Sequence, residues 1–100
     1  MSTPRERLIV ILDALTKKEL VSPGDIASET GLPRYMVLAA FQCLEALGVI
    51  EMVYSKGNHK LYAARPVASE LLKLLKEGVE APALAIIRRQ VEGEATANAA

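Results

Sequence analysis

The sequence predicts a mainly α-helical chain with one small β-hairpin, an α+β class, and three observations support this. Apolar residues recur at helical spacing through most of the chain, first at Leu8, Ile11 and Leu15. Two short segments of alternating side chains flank the pair Gly57-Asn58. Glycine or proline stands near most segment boundaries. The predicted order is therefore three helices, the hairpin, a fourth helix and a fifth.

The first helix is predicted from Pro4 to Lys17. Thr3 suits the N-cap, Pro4 suits the first helical position, and Glu6 stands where a capping box places its acid. The apolar link Leu20-Val21 follows, and we expect it to pair with the hairpin as a third strand.

The second and third helices are predicted to be separated by a tight turn at Gly31. Ser22 caps the second helix, which ends near Thr30. The third runs from Leu32-Pro33 to about Leu47, and Gly48 ends it. Its predicted core face comprises Val37, Ala40, Phe41, Leu44 and Leu47. The opposite face carries Arg34 at its edge, with Tyr35, Leu38, Ala39, Gln42 and Ala46.

The hairpin strands are predicted at Val49–Tyr54 and His59–Ala63, with residues 55–58 as the loop. A fourth helix from Val67 to Lys76 ends at Gly78. Its leucines could be simple core, but they are more numerous than one side of a terminal helix needs. Together with the wide apolar face of the first helix and the apolar fifth helix, they indicate a homodimer interface. These leucines are Leu71, Leu72, Leu74 and Leu75. A fifth helix is predicted from Pro82 to Glu92.

Ala27, Gly31 four residues later and Val37 six residues after that resemble the helix-turn-helix pattern. With the hairpin attached, residues 5–77 resemble the winged helix-turn-helix transcription regulators of archaea and bacteria, broadly of MarR-like and ArsR-like architecture. Three blocks carry the resemblance: Ser22 to Ala27, Gly31 to Tyr35, and Leu44 to Glu51. The resemblance implies a homodimer that binds two DNA half-sites, and we expect an archaeal or archaeal-virus source.

The resemblance also implies domain boundaries. We predict a winged-helix domain over residues 1–77, a C-terminal helix over residues 78–92 with C-terminal helices serving dimerisation, and a flexible tail over residues 93–100.

Positive charge is concentrated in the hairpin. The formal net charge is zero, but residues 54–65 contain Lys56, Lys60 and Arg65 with no acid, whereas residues 21–53 balance at −3, with one basic and four acidic residues. Duplex DNA is bound largely through cations that face phosphates. The hairpin, or wing, is therefore the main place where the sequence offers them.

Double-stranded DNA is the partner that these features predict. Base contacts are expected from the start and outward face of the third helix, and backbone or minor-groove contacts from the wing. The candidate residues are Arg34, Tyr35, Leu38, Ala39, Gln42, Lys56, Asn58, His59 and Lys60. Lys17 and Lys18 are additional candidates for phosphate contact.

Structural explanations stand beside these functional ones. Arg34 could be a solvated arginine, Tyr35 half-buried, and the wing lysines could serve only to keep a strand edge soluble. The second functional hypothesis is a winged-helix protein-interaction module without direct DNA binding. It is motivated by the nearly uncharged outward face of the third helix and by the acidic balance of residues 21–53.

Several classes are not indicated. We expect no enzyme, because the sequence has no nucleophile beside a base, no paired carboxylates in a plausible cleft and no phosphate-binding glycine loop. Cys43 is the only cysteine and His59 the only histidine, so neither a disulfide nor a metal or other cofactor is expected. Cys43 is expected to be buried.

Without a membrane-length apolar run or a signal peptide, we expect a cytoplasmic, nucleoid-associated protein. The sequence indicates no particular small-molecule effector.

Overall fold

Four helices and one hairpin are complete within the part of the chain that the structure describes. The computed structural model describes residues 3–82, 86–88 and 91. Its elements are α1 (Pro4–Thr16), α2 (Pro23–Thr30), α3 (Arg34–Ala46), β1 (Ile50–Lys56), β2 (His59–Ala64) and α4 (Pro66–Lys76). Pro82, residues 86–88 and Val91 are also helical. The predicted class is confirmed. The fifth helix falls partly outside the described residues, and the predicted tail over residues 93–100 falls wholly outside them.

The starts of α1 and α2 follow from local hydrogen bonds. At α1, Glu6 N donates to Thr3 Oγ1 over 3.1 Å. At α2 the bonds are reciprocal, because Asp25 N donates to Ser22 Oγ over 3.1 Å and Ser22 N donates to Asp25 Oδ2 over 3.4 Å. These bonds satisfy N–H groups that have no partner inside the helix. They fix where α2 begins.

The turn between α2 and α3 depends on Gly31. Its φ of 73° lies in the left-handed region, and its N–H donates to Ala27 O over 2.9 Å. Glycine takes this conformation without the steric cost that a Cβ brings. The chain then turns so that Val37 on α3 is fully buried, while Ala27 packs against the same core. The predicted helix-turn-helix is present.

The end of α3 differs from the prediction. Leu47 was assigned to the core but is 75% exposed. The helix ends at Ala46. After the turn at Gly48, Val49 N donates a hydrogen bond to Leu44 O over 2.8 Å. Val49 is buried and occupies the core position expected of Leu47. The apolar pattern of the helix therefore does not extend to the C-cap residue, Leu47.

The wing is longer and its loop shorter than predicted. The strands extend through Lys56 on one side and to Ala64 on the other, leaving only Gly57 and Asn58 between them. Gly57 has a φ of 60°, as the first position of a type II′ loop requires. A register shift between Met52 and Tyr54 leaves Val53 without a partner on β2.

Burial on β1 does not follow the simple alternation of its residues. Ile50 is buried, but Met52 and Tyr54 are exposed. The predicted third strand is a single bridge, in which Val21 N donates to Tyr62 O over 2.9 Å and Tyr62 N to Val21 O over 2.8 Å. This bridge attaches the wing to the link between α1 and α2.

The core lies between α1, α2, α3, α4 and the base of the wing. The ring of Phe41 meets that of Tyr62 edge-on, with the centroids 5.1 Å apart. The contact joins α3 directly to β2. The largest fully buried side chains are Phe41, Ile11, Leu12, Leu15, Ile26, Ile50, Leu74 and Val37.

The leucines of α4 are used within the chain. Leu72, Leu74 and Leu75 are buried, and Leu71 packs against the core. The surplus of leucines, one of three features that indicated a dimer interface, is therefore absent from α4 itself. Beyond Gly78 the chain returns to α1, because the Arg5 guanidinium donates to the carbonyl oxygens of Val79 at 2.6 Å and Glu80 at 3.2 Å.

Within residues 3–82, 86–88 and 91, no helix has both the length and the apolar character needed to cross a membrane.

Candidate nucleic-acid interface

A groove of about 580 Å³ lies between the start of α2, one edge of α3 and strand β2 of the wing. It is partly open to solvent. The side chains and backbone that line it are those of Ser22, Pro23, Gly24, Asp25, Ser28, Arg34, Leu38, Phe41, Gln42, Glu45, Asn58, His59, Lys60 and Tyr62.

The groove brings together candidate residues from two separate parts of the chain. From α3 come Arg34, Leu38 and Gln42, and from the wing come Asn58, His59 and Lys60. The other candidates, Tyr35, Ala39 and Lys56, are exposed but do not line it.

Helical geometry explains this division, because each residue advances about 100° around the helix axis. The stripe opposite the buried residues of α3 therefore holds Tyr35, Ala39, Gln42 and Ala46, all of which are exposed. We call these four residues the outward stripe. It carries no charged side chain.

Arg34 lies at the edge of α3 and reaches towards α2. A Cβ atom at Gly24 would lie 3.4 Å from Arg34 Nη1, so the guanidinium packs over the first turn of α2. Residues 3–82, 86–88 and 91 provide no hydrogen-bond or ion-pair partner for it. Its charge is therefore available to a ligand at the α2 side of the groove.

The wing lysines also lack ion-pair partners among the described residues. Lys56 and His59 face each other across the last pair before the loop, and Lys60 pairs with Ser55. The third wing cation is different, because Arg65 Nη2 contacts Glu51 Oε2 at 3.0 Å. The available positive charge of the wing is therefore concentrated near its tip.

Lys17 and Lys18 are in ion pairs and do not line the groove. Lys17 Nζ lies 3.0 Å from Asp13 Oδ2, and Lys18 Nζ lies 2.7 Å from Glu29 Oε2. The Lys17 hydrogen bond lowers the pKa of the Asp13 carboxyl, and the Glu29 hydrogen bond raises the pKa of the Lys18 amine. Both lysines are partnered within the chain, so we leave them out of the proposed interface.

Two acidic residues in the groove were missed by sequence reasoning. Asp25 and Glu45 line it together with Arg34 and Lys60, so its formal charges cancel when His59 is neutral. Burial raises the pKa of the Tyr62 phenol, and the negative charge of Glu45 raises it further. Helical spacing alone could have found Glu45, which follows Leu38 by seven residues and shares its edge of α3.

Cys43 is exposed, contrary to the prediction that it is buried. It precedes buried Leu44 by one residue, and the rotation of about 100° between neighbours turns it away from the core. Among the described residues, no group of His, Cys, Asp and Glu side chains could hold a metal ion.

Solved structures with a similar fold include the following three. NolR from Sinorhizobium fredii is 22% identical, with a TM-score of 0.56, and the match covers 79% of this chain and 76% of that one. FabT from Streptococcus pneumoniae, solved in complex with DNA, is 21% identical, with a TM-score of 0.57 and coverage of 92% and 70%. BpsR from Bordetella bronchiseptica, whose DNA binding is regulated by 6-hydroxynicotinic acid, is 16% identical, with a TM-score of 0.59 and coverage of 93% and 75%.

No family model matches the chain, and no curated protein matches it significantly. The three similar structures come from bacteria, so an archaeal source stays a prediction. The helix-turn-helix, the hairpin that follows it and these similarities together establish that the chain has the winged helix-turn-helix fold.

Proposed function

We propose that the chain binds double-stranded DNA and acts as a small transcription regulator. The observation that carries this proposal is the groove, in which Arg34, Leu38 and Gln42 of α3 lie beside Asn58, His59 and Lys60 of the wing. In DNA binding, contacts with base edges provide specificity and contacts with phosphates position the protein. A recognition helix flanked by a wing can provide both kinds of contact. The fold shared with FabT, which was solved with DNA, supports the proposal.

In this proposal α3 enters the major groove, which is wide enough for an α-helix. Its outward stripe, together with Leu38, faces the base edges. Lys56 and Lys60 contact phosphates beside the α3 site, with Asn58 and His59 at the wing tip between them. Arg34 contacts the phosphate backbone on the α2 side, because its guanidinium lies over Gly24.

The first experiment is a fluorescence-anisotropy titration of a labelled random-sequence duplex at low and then moderate salt. We expect a Kd in the micromolar range or below at low salt, which weakens steeply as salt rises because counterions are released from phosphates. Absence of binding at low salt would contradict the proposal.

We further propose that the protein acts as a homodimer. Val10 on α1 and the helical residues Ile87 and Val91 are exposed apolar side chains outside the groove. An interface that includes them would leave both grooves open and set the spacing of two half-sites. Sedimentation equilibrium is expected to give twice the mass of the chain. A monomer mass at micromolar concentration, with and without duplex, would contradict the dimer.

A second candidate is a protein-interaction module, and the uncharged outward stripe favours it. Tyr35 is 71% exposed there, and uncharged surface of this kind suits a protein partner as well as DNA. The same titration separates the two candidates. Salt-sensitive binding of random duplex supports DNA recognition, whereas no binding puts the interaction module first.

A further inference from the structure

We propose that α3 recognises A·T base pairs in the major groove through the methyl group of thymine and the hydrogen-bonding edge of adenine. Guanine is not read by this helix. The inference rests on the proposed function, because it needs α3 in the major groove. It adds which bases are preferred and which side chains produce the preference.

The first argument is the absence of cations from the outward stripe. Guanine offers two acceptors, O6 and N7, in the major groove, and arginine or lysine is the side chain that usually contacts both. The stripe instead consists of Tyr35, Ala39, Gln42 and Ala46, all exposed. None of these residues has the charged donor that a guanine contact uses.

The second argument is the position of the available cations. The Arg34 guanidinium packs over Gly24 at the start of α2, away from the outward stripe. Lys56 and Lys60 belong to the wing. These three side chains can therefore hold phosphates while the base edges meet only uncharged atoms.

The third argument is that the remaining side chains fit one kind of base pair. Ala39 and Leu38 present methyl groups, which pack against the C5 methyl of thymine. Gln42 lies between them and Ala46 along the helix, and its amide can bond N6 and N7 of adenine. Thymine methyl and adenine edge belong to the same base pair, so these contacts reinforce one preference.

Glu45 does not oppose this assignment. It lies on the edge of α3 that lines the groove with Tyr62, outside the outward stripe. Its carboxylate can only accept hydrogen bonds, so phosphate oxygens and base acceptors repel it, and both A·T and G·C pairs present acceptors in the major groove. The amino donors that it could meet, adenine N6 and cytosine N4, likewise belong to both kinds of pair. Glu45 therefore adds no preference for either base pair, and the preference rests on Leu38, Ala39 and Gln42.

The experiment compares four pools of duplexes at one salt concentration: A·T only, G·C only, A·T with deoxyuridine replacing thymidine, and inosine·cytosine. Deoxyuridine removes only the C5 methyl. Inosine·cytosine has the major-groove edge of G·C without the guanine N2 amino group, so it resembles A·T in the minor groove. The A·T pool is expected to bind most tightly. The uridine pool is expected to lose ~4-fold in affinity for each methyl group contacted.

The inosine·cytosine pool is expected to bind like the G·C pool, since the preference arises in the major groove. Equal binding of the thymidine and uridine pools would overturn the proposal. So would inosine·cytosine that binds like A·T, because the wing would then be reading the minor groove. If all four pools bind equally and with salt dependence, DNA binding stands and the base preference fails. If none binds at low salt, both fail.

The side chains are tested with the double variant Leu38→Gln, Ala39→Ser, whose positions are both exposed. Its affinity ratio between thymidine and uridine pools is expected to fall towards one. Lys60→Ala is the control, because loss of a phosphate contact lowers affinity for all pools and leaves the ratio unchanged. A thymidine-to-uridine ratio that the double variant retains in full would overturn the assignment.

Discussion

Phe41→Ala is expected to lower the free energy of unfolding by about 3–5 kcal/mol. The side chain is 1% exposed, and its ring packs edge-on against Tyr62 at 5.1 Å. Truncation removes buried apolar surface and leaves a cavity between α3 and the wing. Because small domains are stable by only about 5–15 kcal/mol, the variant is expected to unfold at a much lower urea concentration. Urea titration followed by circular dichroism measures the shift.

Tyr35→Ala is the matched control on the same helix. Its ring is 71% exposed, so the change in unfolding free energy is expected to stay within about 0.5 kcal/mol. If Phe41→Ala costs no more than this control, the contact between Phe41 and Tyr62 does not hold the wing onto α3. Near-ultraviolet circular dichroism of the folded variants reports whether the remaining tyrosines keep fixed environments.

Local signals were sufficient to predict how the helix-turn-helix begins and turns. Ser22 and Gly31 form hydrogen bonds with residues three and four positions away. Such bonds can be predicted from a short stretch of sequence. The apolar spacing that assigned Val37, Phe41 and Leu44 to the core was also right. These features depend on the chain within about one helical turn.

The errors arose where an outcome depended on the path of the chain beyond one element. Leu47 continues the apolar pattern of α3, but the turn at Gly48 places Val49 in the core instead. The leucines of α4 seemed too many because the sequence does not show how much of α4 packs against α1 and the rest of the core.

The site was predictable in composition but only partly in arrangement. Sequence reasoning named the residues of α3 and the wing, and their common groove depends on the bridge between Val21 and Tyr62 and the contact of Tyr62 with Phe41. It did not find that Arg34 packs over Gly24. It also missed Asp25 and Glu45 in the groove, since acidic residues were considered only as a charge balance.

The double variant Lys56→Ala, Lys60→Ala is expected to weaken binding to all duplexes alike. Both lysines are exposed on the wing and have no ion-pair partner among the described residues, so their charge is available to phosphates. Each phosphate neutralised contributes about 0.9 to the slope of log K against log salt concentration, so the slope is expected to become shallower by about 1.8. Anisotropy titrations of one duplex at several salt concentrations measure this slope for the wild-type protein and the variant.

Lys73→Ala, Lys76→Ala is the control, because it removes the same net charge from α4, outside the groove. Its effect is expected to be small, since distant exposed charges act on DNA only through a screened long-range field. An unchanged salt slope in the wing variant would remove the wing from the binding mechanism. Equal changes in both variants would mean that net charge, and not the position of the lysines, governs the affinity. A lower affinity and a shallower salt slope in the wing variant alone would support a model in which Lys56 and Lys60 contact the phosphate backbone beside the bases that α3 contacts.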